Sequence, residues 1–342
     1  MISFESDYTE GAHPRILEAL GSMNYARLSG YGCDPVSDGA REKIRAACGT
    51  PDAEVFFLSG GTQTNRVIIS SLLRPYEAVL CADTGHINSH EAGAVEHSGH
   101  KVLALPGEHG KLSPDDARRF LETFYSDDNH EHMAFPGMIY ISYPTEYGTL
   151  YSLSELRALH ELCRQYQIPL FVDGARLASG LASLSCDLTL PDLAEACDVF
   201  YIGGTKCGAL LGEAVVFPDP AACPAHFMTM MKQQGALLAK GWVMGLQFDV
   251  LFTDGLYLEL GRHALRLAEE LKDLFRRKGI PFYLDSPTNQ QFVILPDERY
   301  EALSRHVRTG FWEKYSPTET VVRFCTSWAT PEEAVRELEQ YL

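Results

Sequence analysis

With 342 residues, 45% of them hydrophobic and 22% charged, the chain reads as a folded globular protein with room for one large domain and a smaller one. A formal net charge of −17 excludes a nucleic-acid face built from clustered Lys and Arg, and argues against adsorption to anionic membranes. The nine cysteines are dispersed with no CxxC pair, and no signal-like or membrane-spanning apolar run is visible. Reduced thiols and a cytoplasmic setting are therefore expected, without disulfides or a zinc site.

In chain order, a helix is predicted over 14–20, with Pro14 in its first turn. The loop Ser29-Gly30-Tyr31-Gly32-Cys33-Asp34-Pro35 follows, then a helix reaching Cys48. Residues 54–58 read as a buried strand running into Ser59-Gly60-Gly61-Thr62-Gln63-Thr64-Asn65 and a helix over 66–73. Strand, glycine turn and helix N-terminus together form an anion site, because free N–H groups and the positive end of the dipole point at the ligand. The turn matches neither GxxxxGK[ST] nor GxGxxG, so P-loop and dinucleotide readings are disfavoured.

Further strands are predicted over 78–82, 101–105, 137–142, 168–173, 198–203 and 213–217, alternating with helices, one of them carrying Glu91 and another spanning 154–166. That alternation predicts an α/β protein with a mostly parallel sheet flanked by helices. From residue 240 a long helical stretch extends to 278. Short strands over 281–284, 291–295 and 321–325 and two helices complete a smaller C-terminal α+β domain. The expected division is residues 1–250 for the large domain with the N-terminal segment, and 251–342 for the small one.

Two strand ends carry the chemistry. Phe171-Val172-Asp173-Gly174-Ala175-Arg176 brings an acid to the carboxyl end of one strand, and Gly203-Gly204-Thr205-Lys206-Cys207-Gly208 brings an amine to the end of the next. Ligands of open α/β sheets gather at those ends. Either residue alone reads as a turn-capping aspartate or a surface lysine. Together, and with the glycine turn upstream, they suit pyridoxal 5′-phosphate (PLP): the lysine condenses with its aldehyde, and the acid keeps the pyridine nitrogen protonated.

The order of glycine-threonine turn, His86, Asp173 and Lys206 resembles the threonine aldolase and aromatic amino acid β-eliminating lyase family of fold-type-I PLP enzymes. Phe4-Glu5-Ser6-Asp7, Gly60-Gly61-Thr62-Gln63, Val172-Asp173-Gly174-Ala175-Arg176 and Thr205-Lys206 carry the likeness. It implies a PLP-dependent transferase-like fold, with Gly61 and Thr62 on the phosphate, Asp173 on the ring nitrogen, Lys206 as the cofactor lysine and His86 stacked on the ring. It further implies that Arg176, Arg323 and Ser6 hold the substrate carboxylate. Tyr31, and more loosely Lys240, would border the site of a neighbouring subunit in a homodimer or homotetramer.

The family histidine near the substrate hydroxyl is replaced in Thr145-Glu146-Tyr147-Gly148, where Glu146 is a candidate base if burial raises its pKa. His86 and His90 have an i,i+4 spacing, but no carboxylate or thiolate set completes a metal site. His90, His97 and His100 are read as helix-surface residues. The resemblance thus implies aldol cleavage of a β-hydroxy-α-amino acid such as threonine or allo-threonine. β-Elimination on an amino acid, transamination, a catalytically silent PLP-binding protein and an unrelated phosphate-binding α/β protein stay open.

Overall fold

The computed structural model describes residues 2–342. The first strand, β1 (Ile2–Phe4), belongs to a C-terminal sheet considered below. The larger sheet is built from β2 (Glu54–Leu58), β3 (Glu77–Ala82), β4 (Val102–Leu105), β5 (Phe135–Ser142), β6 (Leu170–Asp173), β7 (Val199–Gly203) and β8 (Glu213–Phe217). Their order across the sheet is β2-β8-β7-β6-β5-β3-β4. All run the same way except β8, which is antiparallel to both β7 and β2. The sheet is therefore mixed and mostly parallel.

Successive residues of each strand serve opposite faces. In β5, Ile139 and Ile141 join one buried cluster and Met138 and Tyr140 the other; in β7, Phe200 and Ile202 face Val199 and Tyr201 in the same way. Both faces are apolar, so the strands read as near-continuous hydrophobic runs, as sheets covered on both sides do.

The smaller sheet adds β9 (Phe282–Leu284), β10 (Gln290–Pro296), β11 (Val307–Ser316) and β12 (Glu319–Cys325) in the order β1-β11-β12-β10-β9. β1 pairs parallel to β11, so residues 2–4 close the edge of a sheet otherwise made from residues 282–325. β11 has no counterpart among the predicted strands. Its residues are mostly half-buried or exposed, and a run such as Gly310-Phe311-Trp312-Glu313-Lys314 lacks the clean alternation of a one-sided strand.

The helix expected across 240–278 is two helices, Trp242–Leu251 and Leu256–Arg277. Asp254 and Gly255 adopt φ of 55° and 72°, a left-handed pair that cannot continue a right-handed helix. The helix Gly61–Leu72 starts earlier than the sequence suggested. Gly60 is extended, and the Gln63 side chain reaches back to accept from both Ser59 N and Ser59 Oγ, which closes the first turn. Among the described residues no helix is long and apolar enough to cross a membrane.

Gly174 sets the spacing of β6 and β7. Its carbonyl accepts from Gly203 N at 3.0 Å, and a Cβ at residue 174 would collide with the Tyr201 carbonyl oxygen. Gly174→Ala must push apart the two strands that present Asp173 and Lys206. The expected cost is on the order of 1–3 kcal/mol, the usual range for overpacking. An unchanged urea midpoint would show that the strands do not need this close approach.

Candidate active site

The carboxyl ends of β2, β3, β5, β6 and β7 open on one cavity of about 280 Å³, continuous with an outer chamber of about 550 Å³ that shares His86, Glu146, Arg176 and Lys206 with it. Asp173 closes β6, Lys206 follows β7 by a tight loop, and Gly60, Gly61 and Thr62 follow β2. The cavity lies where the ligands of open α/β sheets bind.

Asp173 is buried, and both its oxygens are satisfied. Oδ1 accepts from Tyr201 Oη at 2.5 Å and Ala175 N at 3.0 Å; Oδ2 accepts from Tyr140 Oη at 2.7 Å and Asn65 Nδ2 at 2.9 Å. Burial alone would raise its pKa. The opposing charge of His86 and the bonds from Tyr140, Tyr201 and Asn65 outweigh it, and the net shift is downward. The cavity therefore has a fixed anion in its floor.

The Lys206 amine has no carboxylate within ion-pair distance among the described residues, and lies 5.8 Å over the ring of Tyr8. Burial lowers its pKa, as does the Arg176 charge. A lysine so placed holds a larger fraction of its amine neutral, which is the nucleophilic form. Beside it, Glu213 accepts from Gly204 N at 3.0 Å and from Thr205 Oγ1 at 2.8 Å, and burial pushes its pKa up to about 7. Sequence reasoning missed Glu213. The signal was present: residues 204–212 are too few for a crossover helix, so β8 must return antiparallel and bring its first residue to the same edge.

The fit to PLP can be judged from these groups. Helix Gly61–Leu72 has no side-chain cap, so its first-turn N–H groups are available to a phosphate. At Gly61 the missing Cβ leaves room; one placed there would sit 3.2 Å from Tyr201 Oη. A cradle of backbone donors, a buried ionised acid and an uncommitted lysine on one cavity match the phosphate, ring nitrogen and aldehyde of that cofactor.

The outer chamber collects the remaining candidates. Glu146 is buried; its Oε1 accepts from Ser142 Oγ at 2.6 Å and His86 N at 2.9 Å, while Oε2 has no partner. Burial raises its pKa against the opposing bond from Ser142. His90 is exposed, as expected, although it caps the short helix rather than lying within it; it also lines this chamber, its ring 5.7 Å from that of His86. The helix holding His86 is short, His86–Ser89, and Glu91 lies beyond its end. Arg323 enters from β12, with its guanidinium 5.7 Å from the Trp312 ring and bonds to Gln290 Oε1 and the Glu5 carbonyl.

Three expected residues stand apart. Ser6 is buried with its hydroxyl unpartnered, but does not line either chamber. Tyr31 lines a separate cavity of about 330 Å³, where Lys232 Nζ lies 4.5 Å over its ring. Lys240 is exposed and away from the site. No cluster of metal-ligating side chains occurs among the described residues.

Residues 4–322 match the β-eliminating lyase family. The chain is 31% identical over 339 residues to a low specificity L-threonine aldolase of a Pseudomonas species, covering 98% of this chain and 95% of the relative. It is similar in structure to a Leishmania major threonine aldolase, with a TM-score of 0.95 and 41% identity over 99% of this chain and 98% of that one. A Thermus thermophilus aspartate aminotransferase shares the fold at a TM-score of 0.72 and 15% identity, over 100% of this chain and 90% of that one. The architecture is that of the fold-type-I PLP enzymes.

Arg176 is not free to grip a ligand with its whole fork. Its Nε and Nη2 donate to Asp7 Oδ2 and Oδ1 at 2.7 and 3.0 Å, and Asn289 Nδ2 donates to the same carboxylate at 2.9 Å. Burial would raise the Asp7 carboxyl, but Arg176, Lys206 and Asn289 hold it well below the usual carboxylate range. The folded pKa is the lower one, so this stabilisation is complete above about pH 4, the unfolded value, and is lost as pH falls below it. Asp7→Asn leaves a buried guanidinium without its counter-charge, at an expected cost of about 3–5 kcal/mol near neutral pH. The gap from the parent protein should narrow below about pH 4 in urea titrations. A gap that is constant with pH contradicts the assignment.

Proposed function

The chain belongs to the β-eliminating lyase family, and from that premise we propose that it is a PLP-dependent aldehyde-lyase. It cleaves the Cα–Cβ bond of a β-hydroxy-α-amino acid, converting threonine or allo-threonine to glycine and acetaldehyde. The observation that carries this reading is the meeting of a buried, ionised Asp173 and an unpaired Lys206 on one cavity with the open turn Gly60-Gly61-Thr62. The named activities of the relatives support it.

When bound, the cofactor supplies an electron sink for the bond that breaks. Lys206 would hold its aldehyde carbon, Asp173 its ring nitrogen, and Gly61 with Thr62 its phosphate. His86 would cover the ring. Arg323 and the uncommitted Nη1 of Arg176 hold the substrate carboxylate. Orientation of the Cα–Cβ bond follows from that grip.

The hydroxyl proton needs an acceptor at the outer side of the cavity. Among the described residues His86 Nε2 makes no hydrogen bond, and Glu146, held to the backbone N of residue 86 through Oε1, keeps its Oε2 unpartnered. His86 takes the proton and Glu146 accepts it onward, which requires the ionised form of a carboxyl that burial makes harder to ionise. The aromatic wall of Tyr147 and Trp312 excludes water from the departing aldehyde.

A homodimer or homotetramer is part of this reading. Tyr31 is exposed, has φ 63° and lines neither chamber of its own subunit, which supports the reading that it would complete the site of a second copy. Free and mostly buried cysteines support a reducing cytoplasmic setting.

Two measurements test the proposal. The protein loaded with pyridoxal 5′-phosphate should be yellow, bleach with borohydride and form glycine and aldehyde from threonine, allo-threonine or phenylserine. Lys206→Ala should lose the borohydride-fixable colour and at least about 100-fold in turnover. Pyruvate and ammonia from serine or cysteine, without aldehyde from threonine, would instead establish elimination. The second is a pH profile. Glu146 has a raised pKa and acts as a base, so kcat should fall as pH drops through that pKa; in Glu146→Gln this acid limb should vanish, with kcat lowered by about 10²–10⁴. An unchanged limb assigns it to another group.

A further inference from the structure

The buried carboxylate of Glu91 has no part in the reading above, yet it lies against the site. Its side chain is fully buried, and its Oε1 is 2.7 Å from His86 Nδ1. The same oxygen accepts from Asn65 Nδ2 at 2.7 Å, and that amide nitrogen also donates to Asp173 Oδ2 at 2.9 Å. Both N–H bonds of Asn65 are thus committed to two carboxylates, one beneath the cavity and one behind the histidine. Glu91 Oε2 and Asn65 Oδ1 remain without partners, which marks the cluster as held for something other than its own hydrogen-bond balance.

The backbone supports the same conclusion. Glu91 follows the short helix His86–Ser89, and the next two residues, Ala92 and Gly93, have φ of 52° and 73°. A left-handed alanine costs on the order of 1–2 kcal/mol, and it is the turn at this residue that carries the chain on after Glu91 has gone inward. On a continuous helix the i,i+5 spacing of residues 86 and 91 would place their side chains on different faces.

We propose that Glu91 is a positioning residue for His86. Its carboxylate accepts a hydrogen bond from His86 Nδ1–H, which keeps the proton on that nitrogen and leaves Nε2 facing the cavity unprotonated and ready to accept. Asn65 ties that pair to Asp173. One amide thereby holds both the acid that would meet the cofactor's ring nitrogen and the carboxylate behind the histidine that would cover its ring. The argument rests on His86 being the proton acceptor of the proposed reaction. Facing the imidazole are the His90 ring from the end of its own helix, Glu146 through the backbone of residue 86, and Asp173, Arg176 and Lys206 across the cavity. None of these approaches Nδ1, so Glu91 is the group that selects the tautomer.

The test uses the PLP-loaded protein labelled with ¹⁵N-histidine, with His86→Phe to assign the resonances. The expected parent spectrum shows His86 protonated at Nδ1, in slow exchange with water. Glu91→Gln keeps the shape but removes the charge, and its amide can also turn an N–H toward Nδ1. In that variant the Nδ1 proton should exchange rapidly or be lost. Turnover should fall on the order of 10–100-fold, the usual cost of removing the carboxylate behind a functional histidine. KM for threonine should stay within about two-fold, since the loss concerns a step after binding.

Retained borohydride-fixable colour shows that the cofactor site survives the change. Absence of that colour in the parent protein would instead remove the PLP reading itself. A KM that rises in step with falling kcat would point to a packing role and overturn the proposal. If Glu91→Gln does not fold, the parent spectrum decides alone: a His86 ring carrying its proton on Nε2 refutes the assignment.

Discussion

A carboxylate sealed in the floor of a cavity stays charged only if the protein replaces all the water it has lost. Desolvating an ion costs several kcal/mol even after relaxation, and an acid left uncompensated would simply hold its proton. At Asp173 four donors supply the replacement, from Tyr140 on β5, Tyr201 on β7, Asn65 on the helix after β2 and the backbone of Ala175. They come from elements far apart in the chain, so the site's charge depends on the sheet order. The register Ser142↔Asp173 between β5 and β6, with the close pass of Gly174 against β7, fixes where those hydroxyls meet.

Around this anion the site is a balance of buried charges rather than a neutral pocket. Lys206, Arg176 and Arg323 stand against Asp7, Glu146 and Glu213, and few of these pairs touch directly. Asp7 with Arg176 is the tight pair; its bidentate geometry is what makes burial of both tolerable. The others act at a distance, and their pKa values move accordingly: Glu213 and Glu146 upward, Lys206 downward, each mainly through burial. Such divergent shifts are what a site needs if some groups must hold protons while others release them near neutral pH.

What the sequence disclosed follows from how local its signals are. Asp173, Lys206 and the turn at Gly60-Gly61-Thr62 each sit at the end of a short apolar run, and a strand end is readable from a few residues. Their shared cavity was legible because parallel strands deliver their ends to one edge. Glu213 escaped notice because a strand's direction depends on the length of the loop before it, not on its own residues. Asp7, Glu5 and Asn289 were invisible as partners for another reason: Asp7 meets Arg176, Glu5 meets Arg323 and Asn289 meets Asp7 across separations of 169, 318 and 282 residues, for which no short-range pattern exists. Glu91 was misplaced through one assumption, that a helix carries it. The helix ends at Ser89, before Glu91, and the left-handed Ala92-Gly93 turn carries the chain away once Glu91 has gone inward.

The two arginines show how the small sheet enters the chemistry. Arg176, from the large sheet, spends Nε and Nη2 on Asp7; Arg323, from β12, spends Nη1 on Gln290 and Nη2 on the Glu5 carbonyl, leaving its buried Nε unpartnered. Each therefore offers a ligand only part of its fork. Under the proposed function, a carboxylate that takes N–H groups left free on each arginine bridges the two sheets. The partners that consume the other donors, Asp7 and Glu5, both lie just after β1, the N-terminal strand that completes the small sheet. Folding of the chain's first residues onto its last strands is thus a precondition for the grip. Substrate orientation on this scaffold follows from a strand pairing that closes the chain, as much as from any residue at the cavity itself.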